Sequence, residues 1–123
     1  MPKKILDVGN CAPDFGAITT FFTTHFDCTV EQADKADDAL AKLKSAAFDL
    51  VTVNRKLDCD YSDGTEVIKA IKADPETADV PVMLITNFEE HQAAAEELGA
   101  IRGFGKLDYD KPEMLERMRA VLG

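Results

Sequence analysis

Three short runs in this 123-residue sequence each stop on a polar side chain. Phe48-Asp49-Leu50-Val51-Thr52-Val53 stops on Asn54 and Val80-Pro81-Val82-Met83-Leu84-Ile85 stops on Thr86. The glycine-weakened Ile101-Arg102-Gly103-Phe104-Gly105 stops on Lys106. Near-continuous aliphatic and β-branched residues between polar turns are what a strand buried on both faces requires. In an open parallel sheet, chemistry sits beyond the carboxyl ends of the strands. Asn54 therefore occupies the place where a reactive side chain is expected, and a neutral amide stands there.

Other chemistry-bearing residues yield less. Asp7, inside the apolar run Lys4-Ile5-Leu6-Asp7-Val8, must be paired or raised in pKa if that run is a buried strand. Were the strand shorter, Asp7 would reach the Asn54 end. The acidic loop Asp58, Asp60, Asp63, Gly64 superficially resembles a calcium loop. Its glycine, however, puts Cys59 and Tyr61 at the first and third ligand positions. His25 and His91 lie far apart, and neither has a cysteine or serine placed for nucleophilic catalysis. Cys11, Cys28 and Cys59 are an odd set without metal-ligand spacing, so reduced, non-catalytic thiols are expected. The stretch Gly99 to Gly105 leads into a strand, which excludes a dinucleotide fingerprint.

Composition narrows the function class. Fourteen basic against 23 acidic residues give a net charge of −9, which repels phosphate backbones and anionic lipid, and no basic patch compensates. Neither nucleic acid nor a membrane is expected as a partner. No run of about 18 apolar residues and no signal-like segment is present, so a cytoplasmic location is expected. With 46% hydrophobic and 30% charged residues and no low-complexity tract, residues 1–123 read as one globular domain.

The elements that must position these residues alternate in period. A strand over residues 4–8 breaks at Gly9-Asn10-Cys11-Ala12-Pro13, and Asp14 opens a helix with Phe15, Ile18 and Phe22 on its inward face. Thr19, Thr20, Thr23 and Thr24 weaken that helix, so packing must hold it. A strand near Cys28-Thr29-Val30 leads to a helix capped by Asp34 or Asp37 that buries Ala36, Leu40 and Leu43. After the run ending on Asn54, a polar loop precedes a helix from Thr65 to Ala73 that buries Val67, Ile68 and Ile71 and stops at Asp74-Pro75. Pro81 fits only the start of the next strand. Glu89 to Leu98 then reads as a helix with Gly99 as its C-terminal cap. The last helix starts at Asp110 and Pro112 and carries Met114, Leu115, Met118, Val121 and Leu122 on one face. Five strands alternating with five helices predict an α/β domain with a parallel sheet covered on both faces.

Five landmarks, in order, resemble the receiver domains of two-component response regulators. They are Phe48-Asp49-Leu50-Val51 running to Asn54, Asp63-Gly64, Val80-Pro81-Val82 running to Thr86, Leu98-Gly99-Ala100, and Lys106. The resemblance spans essentially the whole chain and implies a flavodoxin-like, CheY-like doubly wound sheet in the order 2-1-3-4-5. In that family an acidic pair after the first strand and an aspartate ending the third hold Mg²⁺, and the aspartate accepts a phosphoryl group. Hard cations want carboxylate oxygens, and the nucleophile must be ionised.

This sequence departs from the pattern at those positions. Asn54 replaces the phosphoacceptor, and the acidic pair falls on Gly9 and Asn10, or on Asn10 and Cys11 when counted back from Pro13. Thr86 and Lys106 match the switch hydroxyl and the phosphate-pairing lysine, but Leu107 follows where the family has proline. Phe104 lies two residues before the lysine, whereas Gly103 holds the aromatic switch's usual three-residue offset. The implied protein is a degenerate receiver, not an enzyme, that needs no cofactor and binds another signalling protein without phosphorylation. Its expected partner face is the fourth helix, fifth strand and fifth helix, carrying Glu96, Glu97, Arg117 and Arg119, and a homodimer would use the same face. The alternative is a Mg²⁺-dependent phosphoacceptor that recruits Asp58 or Asp7 as a substitute acid.

Overall fold

In the computed structural model, which describes residues 2–109 and 111–122, the expected alternation is complete. The elements are β1 (Lys3–Val8), α1 (Ala12–His25), β2 (Cys28–Ala33), α2 (Ala36–Ser45), β3 (Leu50–Asn54), α3 (Gly64–Ala73), β4 (Val82–Ile85), α4 (Glu89–Glu97), β5 (Ile101–Phe104) and α5 (Pro112–Leu122). All strand pairs are parallel and the order is β2-β1-β3-β4-β5. The fold is thus the flavodoxin-like sheet expected from the sequence, with β3 in the middle.

Strand alternation splits the core in two. Leu6, Val8, Val51, Val53 and Leu84 face Val67, Ile68, Ile71 and Ala95 of α3 and α4. Ile5, Leu50, Met83 and Phe104 face Ile18, Phe22, Met114 and Met118 of α1 and α5. Asp7 lies between Leu6 and Val8 in β1 and pairs in register with Thr52 of β3, so the first strand is not short enough to release it.

Several local expectations are corrected. α1 begins at Ala12, ahead of Asp14, because Pro13 fits a first turn whose N–H groups have no intrahelical partner. Its buried face is Ile18, Phe21 and Phe22, with Phe15 only half-buried. α2 is preceded by Lys35 at the cap position, and neither Asp34 nor Asp37 caps it. Asp37 and Asp38 instead sit in its first turn, where negative charge suits the helix dipole. Ala39 and Leu43 are its buried residues, while Ala36 and Leu40 pack at the edge. Asp63 caps α3 through Thr65 N, and Gly64 is required because a Cβ there would meet Asn54 O. β5 stops at Phe104, which leaves Lys106 in the following turn. The expected helix start at Asp110 lies outside the described residues.

β4 and β5 pair through a bulge. Met83 faces Ile101 and Ile85 faces Phe104, so Arg102 and Gly103 together oppose Leu84. The β5 backbone approaches β4 so closely there that a Cβ on Gly103 would meet Leu84 O.

Candidate functional site

The carboxyl ends of β1 and β3 meet in a small polar node. Asp7 is completely buried. Asn10 donates its amide Nδ2 to both carboxylate oxygens of Asp7, at 2.8 and 3.0 Å, and Thr52 Oγ1 donates to Oδ1 at 2.8 Å. Burial pushes the Asp7 carboxyl above its ordinary pKa, against the opposing pull of the Asn10 and Thr52 hydrogen bonds and of Lys106. Asn10 Oδ1, aimed away from the carboxylate, is buried without a hydrogen-bond partner. The sequence argument that Asp7 must be paired or raised in pKa holds on both counts.

Above this node Asn54 pairs in register with Ile85, next to Thr86, and the expected site residues are bonded to other partners. Asn54 Nδ2 donates to Lys56 O at 2.7 Å, with a longer contact to Gly9 O at 3.5 Å. Gly9 adopts φ +84°, and Leu57 fills the place of a side chain there. An acidic residue at position 9 would therefore be strained and crowded together. Lys106 donates to Asp14 Oδ2 at 2.7 Å across 92 residues of sequence. That hydrogen bond holds the Asp14 carboxyl below its ordinary pKa. Cys11 Sγ lies 3.3 Å from the same oxygen. Thr86 is buried, and its hydroxyl accepts from Phe88 N at 3.2 Å. No hydrogen bond among the described residues links Asn54 to Thr86 or Lys106.

The donor set does not fit Mg²⁺. Gly9 offers no side chain, Asn10 and Asn54 offer only neutral amide oxygens in place of carboxylates, and the Asp14 carboxylate carries an ammonium. No group of three His, Cys, Asp or Glu residues among the described residues is placed to hold a metal. Of the two proposed substitute acids, Asp7 is sealed in the sheet and Asp58 is exposed, its backbone N donating to Gly9 O at 2.8 Å. The other loop acids serve the loop itself, Asp60 accepting from Ser62 and Asp63 from Thr65.

A second polar node binds α4 to the sheet. Gln92, only 4% exposed, donates Nε2 to Leu84 O at 3.1 Å and Thr86 O at 3.2 Å, and its Oε1 accepts from Gly103 N at 3.0 Å. Arg117 of α5 completes the bulge by donating to Gly103 O at 2.6 Å. The bulge releases Gly103's backbone groups from the ladder, and two helices catch them. Phe104 is buried against Phe21, Phe22 and Tyr109, with ring centroids 6.0, 6.1 and 5.8 Å away, inside the α1–α5 core.

Two of the four residues on the expected partner face, Glu96 and Arg117, are engaged within the molecule. Arg102 pairs with Glu89 and, at 2.8 Å, with Glu96, and Arg117 holds the bulge. Glu97 and Arg119 are exposed and make no ion pair among the described residues. Sequence reasoning missed Asp14, Gln92 and Arg102. Opposite charge on Asp14 and Lys106 was the available signal for one pair, but only the folded topology brings them together.

Comparison with known proteins places this geometry. The family model for the response regulator receiver domain matches residues 13–122. None of the curated proteins matches the sequence. Among solved structures, the chain is similar to the Vibrio cholerae chemotaxis protein CheY4, at 22% identity and TM-score 0.77, covering 99% of this chain and 100% of that one. The signal receiver domain of a DNA binding response regulator protein from Colwellia psychrerythraea has 21% identity and TM-score 0.77, with 96% of each chain covered. A response regulator receiver protein from Pseudomonas putida has 18% identity and TM-score 0.78, with 98% of each covered. At these identities the likeness is one of fold.

Proposed function

The chain belongs to the response regulator receiver family, and from that premise we propose that it is a phosphorylation-independent binding module of two-component signalling. One observation carries the reading: the β3 end carries the Asn54 amide in place of a carboxylate, its Nδ2 donated to Lys56 O at 2.7 Å, while Lys106 pairs with Asp14. An amide offers no ionised oxygen for an acyl phosphate. The residues at positions 9 and 10 leave a divalent cation without its carboxylates. The working cycle therefore needs neither Mg²⁺ nor catalysis, and its output is contact with another signalling protein.

The reading extends to place and partner. A net charge of −9 disfavours nucleic acid and anionic membranes. No helix among the described residues is long and apolar enough to cross a membrane, and the three cysteines are unbridged, which supports work in the cytoplasm. For Asp7 as substitute acid the competing reading is disfavoured by burial behind three hydrogen bonds from Asn10 and Thr52, and for exposed Asp58 it is decided by the mass test.

Acetyl phosphate with Mg²⁺ tests the proposal. The intact mass should stay unchanged, and amide NMR spectra should not move at Asn54, Thr86 or Lys106 on adding Mg²⁺ and beryllofluoride. A phosphoryl-sized mass increase would overturn it.

A further inference from the structure

We infer that the carboxyl end of the sheet is a docking surface for a cationic amphipathic helix of a partner protein. Among the described residues the exposed large hydrophobic side chains are Tyr61 at 77%, Phe88 at 59% and Leu107 at 79%. They belong to three different loops, those following β3, β4 and β5. Because these strands are parallel neighbours, roughly 5 Å apart, their following loops all leave the same end of the sheet, the β3 loop also reaching Gly9 and Asp34 through Asp58 and Cys59. Asn87 ties two of the loops directly, its side chain accepting from Leu107 N at 3.4 Å.

Local energetics do not explain these residues. Tyr61 sits at φ +58°, a conformation that glycine or asparagine adopts at low cost and a bulky aromatic does not. Its ring gains no burial in return. Phe88 occupies the cap position of α4, where a short polar side chain would satisfy a free N–H, and it makes no capping bond. Its ring meets that of His91 edge-to-face, with centroids 5.7 Å apart, and stays 59% exposed. A strained or uncapped backbone beneath an uncovered ring points to a role outside the chain.

Charge selects the occupant. The three loops, residues 55–63, 86–90 and 105–109, carry six carboxylates against three cations. Of those cations, Lys106 is held by Asp14, while the exposed carboxylates of Asp58, Asp60 and Glu90 enter no ion pair among the described residues. An apolar rim set among free carboxylates complements a helix with leucine-like side chains on one face flanked by lysine or arginine. The α4–β5–α5 face offers less, since Arg102 and Arg117 are already engaged within it.

This inference rests on the partner-binding reading and adds its surface. The test is amide NMR of the full chain titrated with a synthetic leucine–lysine amphipathic helix of about five turns, beside a leucine–glutamate helix of equal length. The expected result is shifts at residues 58–63, 86–90 and 105–109 with the lysine helix and none with the glutamate helix. A triple variant Tyr61→Asn, Phe88→Ser, Leu107→Ser should bind at least tenfold more weakly while its melting temperature stays level or rises. That variant keeps the net charge, so the loss isolates the apolar contacts. A footprint on another face, undiminished binding by the triple variant, or a parent dimer that the triple variant disperses would each overturn the inference. The titration contains no phosphoryl donor, so its failure leaves the phosphorylation-independent reading intact. Phosphoryl uptake would overturn that reading without moving the peptide footprint.

Discussion

The two buried polar nodes solve opposite problems. Beneath the β1 and β3 ends, side chains satisfy a side chain: Asn10 and Thr52 surround the Asp7 carboxylate, and one amide oxygen is left over. At the β4–β5 bulge, side chains satisfy backbone: Gln92 and Arg117 take up groups that the sheet ladder has released. The first node buries a charge that a neutral group could replace. The second neutralises backbone groups that no substitution can remove. Taking away a polar side chain should therefore act with opposite sign at the two places.

The largest effect is expected at the second node. Gln92→Leu strands Leu84 O, Thr86 O and Gly103 N–H without partners, and a loss of about 3 kcal/mol should follow in urea unfolding. Hydrogen exchange should quicken in α4 and β5 and stay slow in β1. Next comes Gly103→Ala, which pushes a Cβ against Leu84 O and should cost about 2 kcal/mol. If either variant is neutral by the same measurement, the bulge is not held as described.

At the first node the sign reverses. Asp7→Asn should stabilise by on the order of 1 kcal/mol near neutral pH, because it removes a buried charge and keeps the acceptor for Thr52. A carboxyl whose folded pKa is raised holds its proton more tightly in the native state, so the parent gains from this group as pH falls through the raised value toward 3.8. The advantage of Asp7→Asn in melting temperature should accordingly shrink on acidification. A constant advantage across pH would mean that Asp7 is not perturbed in the folded chain.

The smallest effect belongs to the pair above it. Lys106→Ala should cost less than about 1 kcal/mol, since both members are partly exposed and screened. Asp14 has a lowered folded pKa, so its contribution is present above the ordinary carboxylate pKa and lost as pH falls through the lowered value. In an acid titration Asp7 and Asp14 thus pull stability in opposite directions. The parent should lose more stability than Lys106→Ala at the acid end, by calorimetry at matched ionic strength.

Much of this was readable in the sequence where the apolar pattern is dense. The run into Asn54 fixes a strand buried on both sides, and the Met114, Met118 and Leu122 spacing fixes the inner face of α5. Phe21 escaped because the threonines around it blur the stripe of α1, and packing against Phe104 and Tyr109 decides the face. Gln92 was invisible for a physical reason: an amide in a run of alanine and glutamate looks solvated, and only the bulge one strand away makes it a buried clamp. The amide at position 54 and the missing acids at 9 and 10 were legible outright. The engagement of Lys106 by Asp14 was not, since it depends on a contact across the fold.

Gly103 also sets what a side chain at that position would cost. Aspartate at 54 and acids at 9 and 10 would build a charge cluster, but an aromatic placed at 103 would drive into the carbonyl of Leu84. Its accommodation requires the bulge to flatten, and with it the release of Gln92 and Arg117 from their partners. The bulge thus ties two polar contacts to one backbone position, so an aromatic side chain at 103 cannot be introduced without disturbing both.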